Sequence, residues 1–217
     1  MFTGIIEEIG ILKKIVSIRS GRRISIKAEL IIGGLKIGDS VSVNGVCLTV
    51  TGMEKDSFMV EAVGQTMTKT TIKRWVVHQK VNLERAMQVE GRWGGHLVQG
   101  HVNGQGRVTG MQNKGDNWYL QLIIPRELER FMVREGSIAV DGVSLTIADL
   151  TAGRETGISI IPHTYRNTII SGYKTGQLVN IETDFLARYV EKLIGTQKTN
   201  TGPETFSPEW FKNLGYQ

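Results

Sequence analysis

The sequence predicts an all-β protein: two tandem antiparallel barrels of about six short strands each, related by internal duplication, followed by one C-terminal α-helix. Three observations carry this prediction. An eight-residue stretch occurs twice, as Val43-Asn-Gly-Val-Cys-Leu-Thr-Val50 and Val140-Asp-Gly-Val-Ser-Leu-Thr-Ile147, with five identical positions and Gly45 over Gly142. Such self-similarity at a long, nearly fixed offset marks an internal duplication. Short alternating apolar runs, separated by turn residues, recur about every 8–12 residues, a spacing typical of small barrels. After Asp184 the period changes, and Phe185, Leu186, Tyr189, Val190, Leu193 and Ile194 recur at steps of three and four. That is an amphipathic helix of about three turns.

Taken in order, each repeat opens on a strand bent at glycine. Met1 to Lys14 carries Phe2, Ile5, Ile6, Ile9 and Leu12 around Gly4 and Gly10, and its echo, Leu97 to Gly106, sets Gly100 and Gly106 at the matching places. Arg23 to Ala28 and Trp118 to Ile123 alternate as second strands. Ile32 to Ile37 and Arg126 to Val133 read as helical turns before the repeated stretch. That stretch reads as a hairpin, because both central residues of a two-residue type I′ turn need φ > 0, which Asn, Asp and Gly tolerate best. Val43 then faces Val46, Val41 faces Leu48, Ser42 faces Cys47, and Ser40 faces Thr49. Period two puts Val41, Val43, Val46, Leu48 and Val50 on one face, and Ser40, Ser42, Cys47 and Thr49 on the other. The second copy divides likewise, with Ser137, Ala139, Ser144 and Thr146 on its small face. A small, polar face either lies in solvent or leaves room for a flat polar ligand.

Ser57 to Val63 and Thr156 to Ile161 read as the next strands. Matching loops follow, Gly64 to Thr68 and Pro162 to Arg166, with Thr66 over Thr164. Each repeat closes on Val81-Asn-Leu-Glu84 or Val179-Asn-Ile-Glu182, whose asparagines read as turn or ladder residues. The expected divisions are a barrel over 1–96, a barrel over 97–184, an oligomerisation helix over 185–195 and a polar tail over 196–217. The tail, with Trp210, Phe211 and Tyr216, is expected to be poorly ordered or loosely docked.

Composition narrows the function classes. The chain has 217 residues, 40% apolar content, 26 glycines and 4 prolines, enough for two small cores with many tight turns. One cysteine excludes an internal disulfide and offers no metal-ligand spacing, so no metal site is expected from it. No apolar run of about 18 residues and no leader stand out, so a soluble cytoplasmic protein without membrane contact is expected. The mild net charge of +5 would suit an anionic ligand or nucleic acid, but no run of Lys or Arg makes either specific. A nucleic-acid barrel would need aromatics interleaved with Lys or Arg on a strand face, whereas the hairpin faces carry Ser, Cys and Thr.

Six motifs, in order, resemble the riboflavin synthase family over about residues 1 to 194. They are Met1-Phe-Thr-Gly-Ile-Ile-Glu7, Asn44-Gly-Val-Cys-Leu-Thr-Val50, Gly94-Gly-His-Leu-Val-Gln-Gly-His101, Asp141-Gly-Val-Ser-Leu-Thr146, Ile161-Pro-His-Thr164 and Val179-Asn-Ile-Glu-Thr-Asp184. The resemblance implies six-stranded Greek-key barrels, a homotrimer and a transferase that dismutates two molecules of 6,7-dimethyl-8-ribityllumazine without a cofactor. Each barrel would bind one lumazine, and the site would form between the N-terminal barrel of one subunit and the C-terminal barrel of its neighbour. Lumazine synthase is a candidate partner. The rival reading within the family is a non-catalytic antenna protein that only binds lumazine or flavin.

By that resemblance Cys47, His101, Ser144 and Asp184 are the catalytic candidates. His101 suits proton transfer near neutral pH. Cys47 is a nucleophile only as thiolate, and is otherwise a small buried residue. Ser144 is expected to donate a hydrogen bond. Asp184 replaces Ala86 of the first repeat and either takes part in the chemistry or caps the helix that follows. Gly4, Ile5, Ile6, Thr49, Thr66, His96, Gly100, Val102, Thr146, Ile161, Pro162, His163 and Thr164 are expected to line the substrate sites. His78 reads as an inert turn residue. The chain departs from the family at Gln65, where Glu is usual, at Thr68, where Arg is usual, at Gln99, where a small residue is common, and over Tyr165-Arg166-Asn167.

Overall fold

A computed structural model describes residues 1–151 and 155–197. The first barrel is built from β1 (Glu8–Ile18), β2 (Gly21–Lys27), β3 (Ser40–Val43), β4 (Val46–Met53), β5 (Ser57–Val63) and β6 (Lys80–Arg85). The second is built from β7 (Gly104–Asn113), β8 (Trp118–Ile123), β9 (Ser137–Val140), β10 (Val143–Thr151), β11 (Glu155–Ile160) and β12 (Leu178–Thr183). The first closes in the order β1-β2-β5-β4-β3-β6, and the second follows the same order, β7-β8-β11-β10-β9-β12. The pairing of β2 with β5 makes the connection a Greek key. Both barrels are bulged at matching places, Leu12/Lys14 with Val108/Gly110 and Val50/Gly52 with Ile147/Asp149. An extra residue bends and twists a strand, and paired bulges help curl six short strands into a closed sheet.

The hairpins have the register that the residues predict. Val43 pairs with Val46, Ser42 with Cys47 and Ser40 with Thr49, and Val140, Ala139 and Ser137 pair with Val143, Ser144 and Thr146. Asn44, Gly45, Asp141 and Gly142 all have positive φ, as a type I′ turn demands. Val41, Val43, Val46, Leu48 and Val50 are buried in the first core with Ile24, Ile26, Phe58 and Leu83. Burial of such side chains contributes about 1.5–3 kcal/mol each.

Three segments differ from the sequence expectation. Met1 to Lys14 is not one bent strand, since β1 starts at Glu8 and Phe2 instead pairs with Val98, each backbone donating to the other. The two matching loops are short helices, α1 (Gly64–Lys69) and α2 (Pro162–Asn167), each running into a 3-10 turn. Thr70 and Thr168 make that junction. Each hydroxyl donates back to a carbonyl four residues earlier, at Thr66 or Thr164, and accepts the amide two residues on, at Ile72 or Ile170. Asn82 and Asn180 lie in ladder strands, but their side chains cross between the barrels.

That crossing joins the two barrels. The hairpin turns meet back to back, so that a methyl group at Gly45 would lie 2.6 Å from the Gly142 nitrogen. Asn82 Nδ2 donates to the Asp141 carbonyl, and Asn180 Nδ2 donates to the Asn44 carbonyl, at 2.9 and 2.8 Å. The same amides accept the Ile169 and Thr71 backbone N–H groups. Buried peptide groups that would be costly to leave unpaired are thereby satisfied across the junction. Asn44 Oδ1 and Asp141 Oδ1 in turn accept the backbone N–H of Asn82 and Asn180.

From Leu186 the chain forms a separate unit carrying α3 (Phe185–Gln197). Leu186, Tyr189, Val190, Leu193 and Ile194 on this helix are each more than half exposed. No helix among the described residues is long and apolar enough to cross a membrane. Residues 198–217 of the expected tail, Trp210, Phe211 and Tyr216 included, lie outside the described residues.

Asp141 occupies the place of Asn44 but is ionisable. Its carboxyl accepts from the Tyr173 hydroxyl at 2.7 Å, and burial pushes its pKa up to about 7 against the opposing pull of its hydrogen bonds. A carboxyl raised in the folded state contributes stability that is fully present below its ordinary pKa and lost as pH rises through about 7. Asp141→Asn should therefore stabilise the protein at pH 8, on the order of 2 kcal/mol, and leave it little changed at pH 4. Denaturant melts at the two pH values check this, and an equal effect at both would refute the ionisation argument.

Candidate active site

Each barrel presents the outer side of its hairpin as a candidate half-site, and the start of the other repeat packs against it. Cys47 N donates to the Gly100 carbonyl at 2.9 Å, and Ser144 N donates to the Gly4 carbonyl at 2.8 Å. Both glycines have positive φ and lie against the partner hairpin, where a methyl at Gly4 would lie 2.6 Å from Ser144 Cβ and one at Gly100 would lie 2.5 Å from Cys47 Cβ. Only glycine meets both demands. The crossing segments are also tied to their own barrels. Glu84 accepts Thr3 N, Thr3 Oγ1 and Gly4 N, and Glu182 accepts Gln99 N. Burial holds the Glu84 carboxyl above its ordinary pKa.

The first half-site gathers Cys47, Gly100 and the two residues after it. Val102 packs into the first barrel's core, and His101 beside it is exposed. Cys47 is half-buried, and Thr49 lies exposed on the same face, two residues along β4. Thr66 lies in α1, directly after β5, the strand paired with β4. Ser42, expected on an open polar face, is instead buried. Near the turn the small face is not solvated, since Phe2, Val98 and Ala139 form a small apolar cluster there with Cys47 against it.

The second half-site gathers Ser144, Gly4, Ile5 and Ile6, with Thr146 exposed along β10. It also holds His96, whose Nδ1 lies 2.7 Å from Ser144 Oγ. Burial lowers the His96 pKa and the charge of nearby Asp184 raises it, the net direction being down, so the ring is neutral at pH 7. His96 Nε2 is buried with no hydrogen-bond partner. A neutral ring bonded to a hydroxyl can take a proton at one nitrogen while the other is engaged. Ile161, Pro162, His163 and Thr164 lie at the start of α2, with Ile161 and His163 exposed. Among the described residues no three His, Cys, Asp or Glu side chains are grouped as metal ligands would be.

The four catalytic candidates thus divide, Cys47 and His101 to one half-site, Ser144 and Asp184 to the other. The two half-sites are alike in backbone and unlike in chemistry. Sequence reasoning missed Glu84 and Glu182 as the groups that hold the crossing segments, although their recurrence in the Val-Asn-x-Glu motifs was a signal. It also missed the stacking of Trp118 on Tyr165, at 3.9 Å between ring centroids and 4° between planes, which pins α2 to β8.

The lumazine binding domain family matches twice, over residues 3–86 and 99–184. The riboflavin synthase of Bacillus subtilis is 39% identical over 216 residues, covering all of both chains, and that of Actinobacillus pleuropneumoniae is 34% identical with the same coverage. The chain belongs to the riboflavin synthase family. Among solved structures, LumP complexed with 6,7-dimethyl-8-(1'-D-ribityl) lumazine superposes with a TM-score of 0.77 at 27% identity, over 84% of this chain and 99% of that one. LumP complexed with riboflavin gives 0.79 over the same shares. In the family frame the matched segments start at residues 3 and 99, so each repeat carries its own crossing segment.

Gly100→Ala should push the crossing segment off Cys47 and destabilise the fold by about 1–3 kcal/mol. It should disturb ligand at the first half-site more than at the second. Urea melts and ligand-detected NMR check the two parts, and a variant of unchanged stability would refute the close-approach argument.

Proposed function

We propose that the chain is a riboflavin synthase. Two 6,7-dimethyl-8-ribityllumazine molecules react, one giving a four-carbon unit to the other, to form riboflavin and 5-amino-6-ribitylamino-2,4-pyrimidinedione. The observation that carries this reading is the pair of half-sites with one backbone plan and different side chains. A dismutation needs two like molecules bound alike and treated differently. The full-length similarity to riboflavin synthases supports the same reading.

In this reading a ring sits on the small face of each hairpin, with Thr49 and Thr66 on one barrel and Thr146 and Thr164 on the other as hydrogen-bonding groups. Gly4, Ile5 and Ile6 on one side and Gly100 and Val102 on the other edge the rings. His101 removes a proton from the acidified methyl group, the step suited to an imidazole near neutral pH. Cys47, as thiolate, adds to or activates its ring. Ser144 donates to the second ring, with His96 fixing the hydroxyl and Asp184 biasing the charge of His96. Ile161, Pro162 and His163 shape the second pocket from α2.

The two half-sites of one chain lie on different barrels, so two bound rings meet when the first barrel of one subunit faces the second barrel of a neighbour. A homotrimer joined through α3 satisfies this, and the exposed apolar side chains of α3 supply the surface for it. The likeness to lumazine-bound LumP supports a second reading, a binding protein without turnover.

Mixing the protein with 6,7-dimethyl-8-ribityllumazine separates the readings. Riboflavin should appear at half the molar amount of lumazine consumed, and a bound, spectrally shifted lumazine with no riboflavin would favour the binding protein. Cys47→Ser should slow turnover at least about tenfold, roughly 1.4 kcal/mol of barrier, while ligand binding persists. Full activity would remove Cys47 from the mechanism. Deleting Leu186 to Gln217 should yield monomers with little activity, and an active monomer would refute the shared site.

A further inference from the structure

A second concave region lies at the junction of the repeats, and none of its lining residues is one of the half-site candidates named above. It is a groove of about 720 Å³ lined by the hairpin turns, the end of α2, the segments after α1 and α2, and the adjoining ends of β1, β6 and β12. Its charge is one-sided. Arg74, His78, Lys80 and Arg166 all line it with exposed side chains, and among the described residues none of the four is held by a carboxylate or any other hydrogen-bonding partner. The acidic residue at the groove is Asp141, whose two carboxyl oxygens are taken up by Tyr173 and Asn180.

The two repeats do not share this charge. At the matching places the other repeat has Gly172 for Arg74, Gly176 for His78, Leu178 for Lys80 and Thr68 for Arg166. His78 sits in the left-handed region at φ 70, in a turn that the second repeat makes with Gly176 at φ 88. A glycine-favoured position thus carries an imidazole, in a conformation that costs a side chain energy. Four unneutralised cationic or protonatable groups converging on one concavity repel one another, and a bound anion relieves that. Ile9, Val76 and Ile169 add apolar wall, and the volume is that of a small-molecule site rather than of a single ion.

We propose that this groove binds the phosphate group of a small phosphorylated molecule, with Arg74 and Arg166 as its main donors and Lys80 and His78 adding charge. A guanidinium donates two parallel N–H groups to phosphate oxygens, and the two arginines approach from different repeats, so a phosphate between them would bridge the junction. The ligand is either free phosphate or a phosphomonoester whose body uses the apolar wall.

Calorimetric titration of the full-length protein with inorganic phosphate and with phenyl phosphate tests this, with chloride at matched ionic strength and phenol as controls. Saturable binding of either phosphate is expected, and tighter binding of phenyl phosphate identifies a phosphomonoester with an apolar body as the ligand. Equal binding of the two identifies free phosphate. The double variant R74Q/R166Q, altered only at exposed positions, should weaken binding at least about tenfold and leave lumazine binding unchanged. No heat above the chloride control, or binding that the double variant retains in full, would overturn the proposal. Because the readout is direct binding, it stands apart from whether the protein turns over lumazine.

Discussion

The contact between the two hairpin turns is the constraint on which the rest of the structure depends. Gly45 and Gly142 approach so closely that neither position has room for a side chain, and each also needs a positive φ. The amides of Asn82 and Asn180 are used at both ends across this contact, giving to one repeat's turn carbonyl and taking from a backbone N–H beyond it. A two-residue turn fixes hairpin register, and register fixes which face each side chain takes. Cys47 and Ser144, three residues beyond Asn44 and Asp141, are therefore placed by the junction itself. The starts of the two repeats cross at the same junction, Gly4 to Ser144 and Gly100 to Cys47.

Duplication supplies two copies of one frame, and the proposed chemistry draws on the differences between them. His101 stands where the first repeat has Ile5, Ser144 where it has Cys47, and Asp184 where it has Ala86. The backbone bonds that hold these positions are the same in both copies, Cys47 to Gly100 and Ser144 to Gly4. Exchanging side chains on an unchanged frame alters proton affinity and donor character without moving the backbone. The acid in the seam is a different kind of divergence. Asp141 keeps the acceptor role of Asn44 toward a backbone N–H but adds a buried ionisation, offset in part by Tyr173 where the first repeat has Trp75.

What the residues revealed before any coordinates follows physical locality. The hairpin registers were legible because an Asn-Gly or Asp-Gly turn between alternating apolar residues leaves one pairing. The apolar face of Val41, Val43 and Leu48 was legible for the same reason. The burial of Ser42 was not, since its hydroxyl lies against the other repeat's turn, 3.3 Å from where a methyl at Gly142 would stand. α1 and α2 were hidden because a helix of six residues gives no useful periodicity, and their Thr caps look like ordinary loop polarity. The pairing of Ser144 with His96 spans 48 positions and no local pattern encodes it, although both residues were candidates from their motifs. The roles of Asn82 and Asn180 were out of reach of any reading that treats each barrel alone, because their partners lie in the other one.

The seam also separates the two kinds of site. The half-sites use the outer side of each hairpin, and the groove uses the turns and the segments after α1 and α2. Both rest on Asn44 and Asp141, so a route for coupling exists in space. Coupling, however, needs an element with two arrangements that each ligand biases differently. The glycine contact and the paired amides have one arrangement, since separating them would strand buried polar groups. The titratable member is Asp141, buried and near neutrality. An anion held at the groove would favour its protonated form, in which one oxygen still accepts the Asn180 N–H and the other donates to the Tyr173 hydroxyl.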